Sequence, residues 1–215
     1  PLGQNSIVGS LIVFRTVINK AYVDKMIETN LNDFFDGENY EKTQKAYLTF
    51  DEFKRLADTP CKFDVLRRIS VFAVFSALRV SDLERLEWSQ ISKAPDGQYC
   101  IRKTIVKSHR DETVFVSDEA LSWCGQRGEG YVFKGFRRSM TREPFQKWLR
   151  DAGITKKFTF HCLRHTAATL MISEGVDIYT VSKMLTHKNV QTTQIYADIV
   201  DEKKRKAANA ISLLK

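Results

Sequence analysis

TFHCLRHTAATLMISEGVDIYTVSKMLTHKNVQTTQIYAD, residues 159–198, is the most informative stretch of this 215-residue sequence. It places His161 and Arg164 one helical turn apart, with His187 downstream and Tyr196 nine residues after that histidine. Residues three apart on a helix are neighbours on its surface, so the first two side chains are predicted to share a face. A cation, two imidazoles and a phenol together could attack a phosphodiester without a metal ion.

The cluster of His161, Arg164 and His165 allows simpler interpretations. Three groups that can carry positive charge near a helix N-terminus favour an anion such as phosphate. A solvated polar face with a capping histidine would give the same pattern. His161 and His165 also have the spacing of two zinc ligands on a helix, but Arg164 lies between them and would oppose a dication. Taken alone, the cluster leaves these interpretations open.

The bulk composition is that of a globular protein with a proper core, since 43% of its residues are hydrophobic. The longest apolar stretch, VFAVFSAL at residues 71–78, is far too short to span a membrane, and no signal peptide is recognised. Basic residues outnumber acidic ones by 34 to 26, which suits a polyanionic partner. Four cysteines without CxxC spacing favour a reduced, intracellular protein.

The N-terminal part predicts one helix and a linker. Apolar residues recur at helical spacing over residues 6–26, and the polar segment DGENYEKTQK at residues 36–45 has no apolar periodicity. A single helix cannot bury its own apolar face. We therefore expect residues 1–35 to be the end of a domain whose beginning is missing, 36–48 to be a linker, and 49–215 to be the main domain.

The main domain is predicted to begin with helices. Thr49 and Glu52 have capping-box spacing, as do Ser81 and Glu84, and residues 63–78 form an apolar run typical of a buried helix. Arg79 then lies in a turn between two helices, where Asp82 could orient its guanidinium. The simpler role for this arginine is a cation that binds the carbonyls at a helix end.

A hairpin is predicted between residues 98 and 117, because β-forming residues flank the polar turn at residues 108–111. A third strand is expected near Ile91, and Lys107 lies at the end of the first arm. The remainder is helical, with helices ending at Gly153 and Gly175, caps at Thr159 and Asp177, and a last helix from about residue 201. The predicted fold class is mainly α with a small antiparallel β-sheet (α+β).

Three segments together resemble the tyrosine recombinases, the phage-type integrase family, and most closely the integrases of mobile elements. They are SALRVSDLERLEW around Arg79, VKSHRDETVFVS around Lys107, and the block at residues 159–198. The resemblance covers about residues 49–211. It implies the catalytic-domain fold of that family, preceded by the last helix of a helical core-binding domain.

The resemblance implies a metal-free mechanism without cofactors. Tyr196 would be the nucleophile that forms a 3′-phosphotyrosyl bond, and His161 the base that receives its proton. Arg79 and Arg164 would bind the phosphate, and His187 would donate a hydrogen bond to it. Lys107 would protonate the leaving 5′-oxygen. Asp82 and His165 would support these catalytic residues without contacting the phosphate. The family usually has Leu-Gly-His where this chain has Leu185-Thr186-His187, and threonine is less permissive than glycine where φ is positive.

The implied partner is double-stranded DNA. The resemblance further implies that four copies bind paired DNA sites as a homotetramer and that accessory proteins bend the DNA, while the chain alone could be a monomer. Basic residues at 134–142 and 147–157, interleaved with Phe136 and Trp148, would bind the DNA backbone. The helix after residue 201 would dock on a neighbour or fold back on its own domain. No membrane is expected, and the location would be the cytoplasm of a prokaryote, beside the nucleoid.

Two other functions share these features. A type IB topoisomerase uses the same chemistry but rejoins the original strand, and a DNA-binding fragment would lack catalysis altogether.

Overall fold

The chain forms two compact units, Pro1–Gln44 and Lys45–Lys215. The computed structural model describes residues 3–35, 45–105, 110–186 and 189–196, without the side chains of 103–105, 110–112 and 195. Within those ranges it is mostly helical with one small sheet, so the predicted fold class is confirmed.

The first unit contains helix α1 (Gln4–Val23) and a 3₁₀ turn at Leu31–Phe34. Arg15 binds the segment after the helix: its Nη2 donates hydrogen bonds to the Asn32 carbonyl at 3.2 Å and to the Phe35 carbonyl at 2.7 Å. Asn32 in turn donates to the carbonyl of Arg15 at 3.0 Å. The predicted helix is therefore present, although it begins and ends slightly earlier than expected.

Helix α1 is also apolar on its surface. It is the one helix in the described part of the chain whose length and mean hydropathy, 1.3, would allow it to cross a membrane. A single helix of this kind near the start of a sequence is a weak indication, because helices of soluble domains and signal sequences share these properties.

The second unit opens with helices α2 (Phe50–Asp58), α3 (Asp64–Ser76) and α4 (Val80–Leu83). The predicted capping box of α2 is confirmed: Glu52 accepts from the Thr49 backbone N–H at 2.8 Å, and Thr49 Oγ1 accepts from the Glu52 N–H at 3.3 Å. Helix α3 is buried along most of its length, as its apolar run predicts. It packs against helix α7 (Cys162–Ser173), further along the chain.

The sheet has three antiparallel strands in the order β1 (Ile91–Lys93), β2 (Tyr99–Ile105) and β3 (Arg110–Val116). The hairpin and the third strand are present as predicted, but β3 begins at Arg110, inside the turn predicted at residues 108–111. Ile91 pairs with Ile101, which pairs with Val114, and all three side chains are buried. This row therefore gives the sheet one apolar face that packs into the core.

The remaining helices are α5 (Asp118–Ser122), α6 (Glu143–Asp151), α7 (Cys162–Ser173) and α8 (Ile178–Met184), with 3₁₀ turns at Trp88–Gln90, Arg138–Thr141 and Val190–Tyr196. Asp177 caps α8 as predicted, since its carboxylate accepts from the Thr180 N–H at 2.9 Å. The predicted start of α7 is two residues too early. Its N-cap is His161, and Thr159 instead contacts the Cys162 sulfur at 3.3 Å.

Candidate active site

Arg79 lies in the turn between α3 and α4, where the sequence places it. Helix α3 ends because Ala77 adopts a left-handed conformation with φ of 53°. Arg79 is then the N-cap of α4, and its backbone N–H donates to Asp82 Oδ2 at 3.3 Å. The capping box predicted for Ser81 and Glu84 is therefore wrong by two residues. In the observed bond, Asp82 holds the main chain of Arg79.

Arg164 is buried, with only 5% of its surface exposed, whereas the sequence pattern predicted a polar face at the helix surface. Its Nη1 donates to the carbonyl of Ala77 and its Nη2 to the carbonyl of Leu185. A guanidinium is planar with several N–H donors in fixed directions, so two such bonds fix the plane of the group. Arg164 thus joins the turn after α3 to the turn after α8.

Thr186 occupies the second of these turns in a strained conformation. Its φ is 50°, the left-handed region in which glycine is favoured over a β-branched residue. The departure from Leu-Gly-His therefore falls at a position that does require positive φ. Thr186 Oγ1 accepts a hydrogen bond from Arg79 Nη1 at 3.2 Å. The sequence gives no sign of this bond beyond the unusual threonine itself.

Tyr196 is 4% exposed, and its hydroxyl lies 2.6 Å from His165 Nδ1. The two rings are 6.0 Å apart. The pKa of Tyr196 is raised to about 12, chiefly by burial; the Arg164 guanidinium partly opposes this rise, and the nearby Cys162 adds a smaller contribution to it. The phenol is therefore neutral at physiological pH and needs a base to become a nucleophile.

His161 lies at the start of α7, with its ring 5.0 Å from the His165 ring in an edge-on arrangement. Its pKa is lowered by partial burial of the imidazole and then by the positive charges of Arg164, Arg79 and Lys45. The ring is therefore neutral at pH 7. Three cations around one imidazole make this end of α7 strongly electropositive, which suits an anionic ligand.

The structure brings five of the eight predicted residues into one group: Arg79, His161, Arg164, His165 and Tyr196. Asp82 supports that group through the Arg79 main chain. Lys107 and His187 lie outside the described residues. Sequence reasoning missed the acceptors of the Arg164 side chain, because two backbone carbonyls leave no signature in a sequence.

The zinc interpretation finds no support in the described ranges, where no three histidine, cysteine or acidic side chains converge on a common point. One nitrogen of His165 already meets the tyrosine hydroxyl. His165 is thus placed for contact with a phenol.

Comparison with known proteins agrees with this geometry. Residues 46–203 match the model of the phage integrase family. The chain is 38% identical over 196 residues to tyrosine recombinase XerC of Chlamydia caviae, covering 82% of this chain and 62% of that one. It is 31% identical over 147 residues to a tyrosine recombinase of Pseudothermotoga lettingae, covering 64% and 50%. The chain thus spans about half to two-thirds of the length of these relatives.

Solved structures show the same fold. The crystal structure of an XerA recombinase superposes with a TM-score of 0.62 at 26% identity, covering 80% of this chain and 66% of that one. A lambda integrase dimer bound to a core site gives 0.66 at 21% identity, covering 87% and 75%. With a family match over most of its length and the clustered arginines, histidines and tyrosine of residues 79–196, the chain belongs to the phage integrase family of tyrosine recombinases.

Proposed function

We propose that this chain is the catalytic part of a site-specific DNA recombinase that cuts and rejoins DNA through a 3′-phosphotyrosyl intermediate, without a metal ion. One observation carries the proposal. The Tyr196 hydroxyl lies 2.6 Å from Nδ1 of His165, which directly follows Arg164 on α7, so the nucleophile lies beside the helix that carries a phosphate-binding cation. Relatives named tyrosine recombinases support the same activity.

In this reaction Tyr196 attacks the phosphorus of one DNA strand, and the bond to the 5′-oxygen breaks. The covalent ester keeps the energy of the broken phosphodiester, so a second strand can be joined without ATP. Arg79 and Arg164 neutralise the charge that develops on the non-bridging oxygens. Their side chains are tied to the same α8 turn, which fixes the site before the substrate arrives.

Three roles in the proposal come from the family resemblance. Lys107 would protonate the leaving 5′-oxygen, and His187 would donate a hydrogen bond to the phosphate. His161, which is neutral at the electropositive end of α7, would be the base to which the resemblance assigns the Tyr196 proton.

DNA is the proposed partner, and solved relatives such as the lambda integrase dimer are bound to a core site. Residues 134–142 form the better candidate surface for its backbone, because Lys134 and Arg137 are exposed there. In residues 147–157, by contrast, Lys147, Arg150 and Lys156 form ion pairs with acidic side chains. Trp148, which lies among these basic residues in the sequence, is buried in the core and donates to the Thr59 carbonyl.

The wider assembly is also a proposal. Four protomers would act on paired sites, with the segment after residue 201 docking between neighbours and accessory proteins bending the DNA. Residues 1–35 would belong to a core-binding domain, and residues 36–48 would form the linker that follows it. Integration or excision of a mobile element, beside the bacterial nucleoid, would be the biological setting.

A nicked suicide substrate tests the chemistry without requiring the full assembly. A short fragment diffuses away after cleavage, so a covalent protein–DNA adduct should accumulate with this chain. Tyr196→Phe should abolish the adduct and leave DNA binding within about threefold of the native value, because only the hydroxyl is removed. An adduct that survives Tyr196→Phe, or none with the native chain, would contradict the proposal. Supercoil relaxation without recombination of paired sites would indicate a topoisomerase instead.

A further inference from the structure

The proposed reaction requires a group that receives the proton of Tyr196. The phenol is buried and its pKa is raised to about 12, so it does not ionise by itself near neutral pH. A base acts on such a group only within hydrogen-bond reach, about 2.6–3.2 Å between heavy atoms. The contacts of the hydroxyl therefore decide which residue is in a position to act.

The imidazole that meets this requirement is His165. Its Nδ1 lies 2.6 Å from the Tyr196 hydroxyl oxygen, and its ring is half-buried on α7. His161, to which the resemblance gives the role of base, meets His165 edge-on with ring centroids 5.0 Å apart. The neutral tautomer with its hydrogen on Nε2 leaves the Nδ1 lone pair directed at the phenol, which then donates the bond.

We propose that His165 is a catalytic residue, the base that accepts the Tyr196 proton at Nδ1 as the phenol oxygen attacks phosphorus. In this step the O–H bond of the phenol breaks, the N–H bond of an imidazolium forms, the phosphorus–oxygen bond to Tyr196 forms and the bond to the 5′-oxygen breaks. The leaving oxygen takes a separate proton from an acid. On rejoining, His165 returns its proton to the departing phenol oxygen. The inference rests on the proposed strand-cleavage function.

The surroundings of His165 suit this assignment. Arg164, the preceding residue, lowers the pKa of Tyr196, so it stabilises the phenolate that results. His161 then remains with the phosphate, where partial burial and then the charges of Arg164 and Arg79 lower its pKa, so that the neutral ring can donate an N–H.

The test compares His165→Asn with His161→Asn in single-turnover cleavage of nicked DNA across pH 6 to 10. An asparagine amide can occupy the position of Nδ1 and still bond to the phenol, but it cannot take a proton. Loss of the base should slow cleavage about 10²–10⁴-fold at pH 7, with a rate that rises steadily with pH where the native rate has levelled. His161→Asn should keep the native shape of the pH profile.

A DNA with sulfur in place of the bridging 5′-oxygen separates the base from the acid, because a thiolate leaves without protonation. It should not restore His165→Asn. Cleavage by His165→Asn within threefold of native, or restoration by sulfur, would overturn the assignment. Tryptophan fluorescence verifies folding, and His165→Gln replaces any variant that does not fold. Failure of the native chain to form an adduct would instead refute the proposed function, so the two failures are distinguishable.

Discussion

Replacing Arg164 by methionine should destabilise the second unit as well as abolish cleavage, because the buried guanidinium joins two turns through the carbonyls of Ala77 and Leu185. A hydrogen bond to a charged group contributes about 1.5–3 kcal/mol. Removing two of them, while relieving the desolvation of a buried cation, should lower the free energy of unfolding by about 2–4 kcal/mol. For a unit of this size that corresponds to a fall in Tm of roughly 5–15 °C.

Arg79→Met is the matched control. Arg79 is exposed, and its side chain makes a bond of 3.2 Å to the Thr186 hydroxyl. Its loss should change stability by less than about 1 kcal/mol, yet reduce cleavage as severely as the Arg164 substitution. The pair therefore separates a residue that serves both structure and catalysis from one that serves catalysis.

Thermal unfolding followed by tryptophan fluorescence is the suitable assay. All three tryptophans, Trp88, Trp123 and Trp148, belong to the second unit, so the signal reports that unit alone. Melting of Arg164→Met within about 2 °C of the native chain, or at the same temperature as Arg79→Met, would refute the structural role given to the buried guanidinium.

Further predictions concern strain, pH and metal ions. Thr186→Gly should raise stability by up to about 1 kcal/mol through relief of the left-handed conformation, whereas Thr186→Ala keeps the strain, loses the hydroxyl and should lower the Tm; equal Tm values would argue against strain. The pKa of Tyr196 is raised on folding, so its contribution to stability is complete below pH 10 and is lost as the pH rises to about 12; urea titrations should show roughly 2–3 kcal/mol more loss there than in Tyr196→Phe. The pKa of His161 is lowered on folding, so NMR titration should find its imidazole neutral below the usual midpoint; the stability linked to it is complete above the usual histidine pKa, falls as pH drops from there to the lowered value, and levels off below it. Adduct formation should persist in EDTA, and a loss restored by added magnesium would contradict a metal-free site.

The sequence predicts the secondary structure of this chain well where local chemistry decides it. The capping box at Thr49 and the cap at Asp177 depend on residues within one turn, and both are present. The capping box predicted for Ser81 and Glu84 is wrong because local sequence alone does not decide which residue caps α4. Several polar residues near Arg79 could cap a helix, and the one chosen depends on where α3 ends, which the left-handed Ala77 determines.

The site itself is only partly predictable, because its geometry depends on contacts distant along the chain. A polar face was expected for Arg164 from helical spacing, yet its acceptors lie 87 and 21 residues away. His165 could be identified only as a supporting residue, since its contact with Tyr196 depends on how the Val190–Tyr196 turn lies on the helices before it. Spacing thus identifies candidates, and tertiary packing assigns their contacts.

The two carbonyls bound by Arg164 also have a consequence for synthesis on the ribosome. The first acceptor, at Ala77, is made long before the arginine, and the second, at Leu185, only afterwards, with Tyr196 later still. A chain that ends before Leu185 therefore lacks both the Tyr196 phenol and the second carbonyl that fixes the Arg164 guanidinium. Under the proposed function, a chain with this order of parts would have no nucleophile with which to cut DNA until translation has passed residue 196.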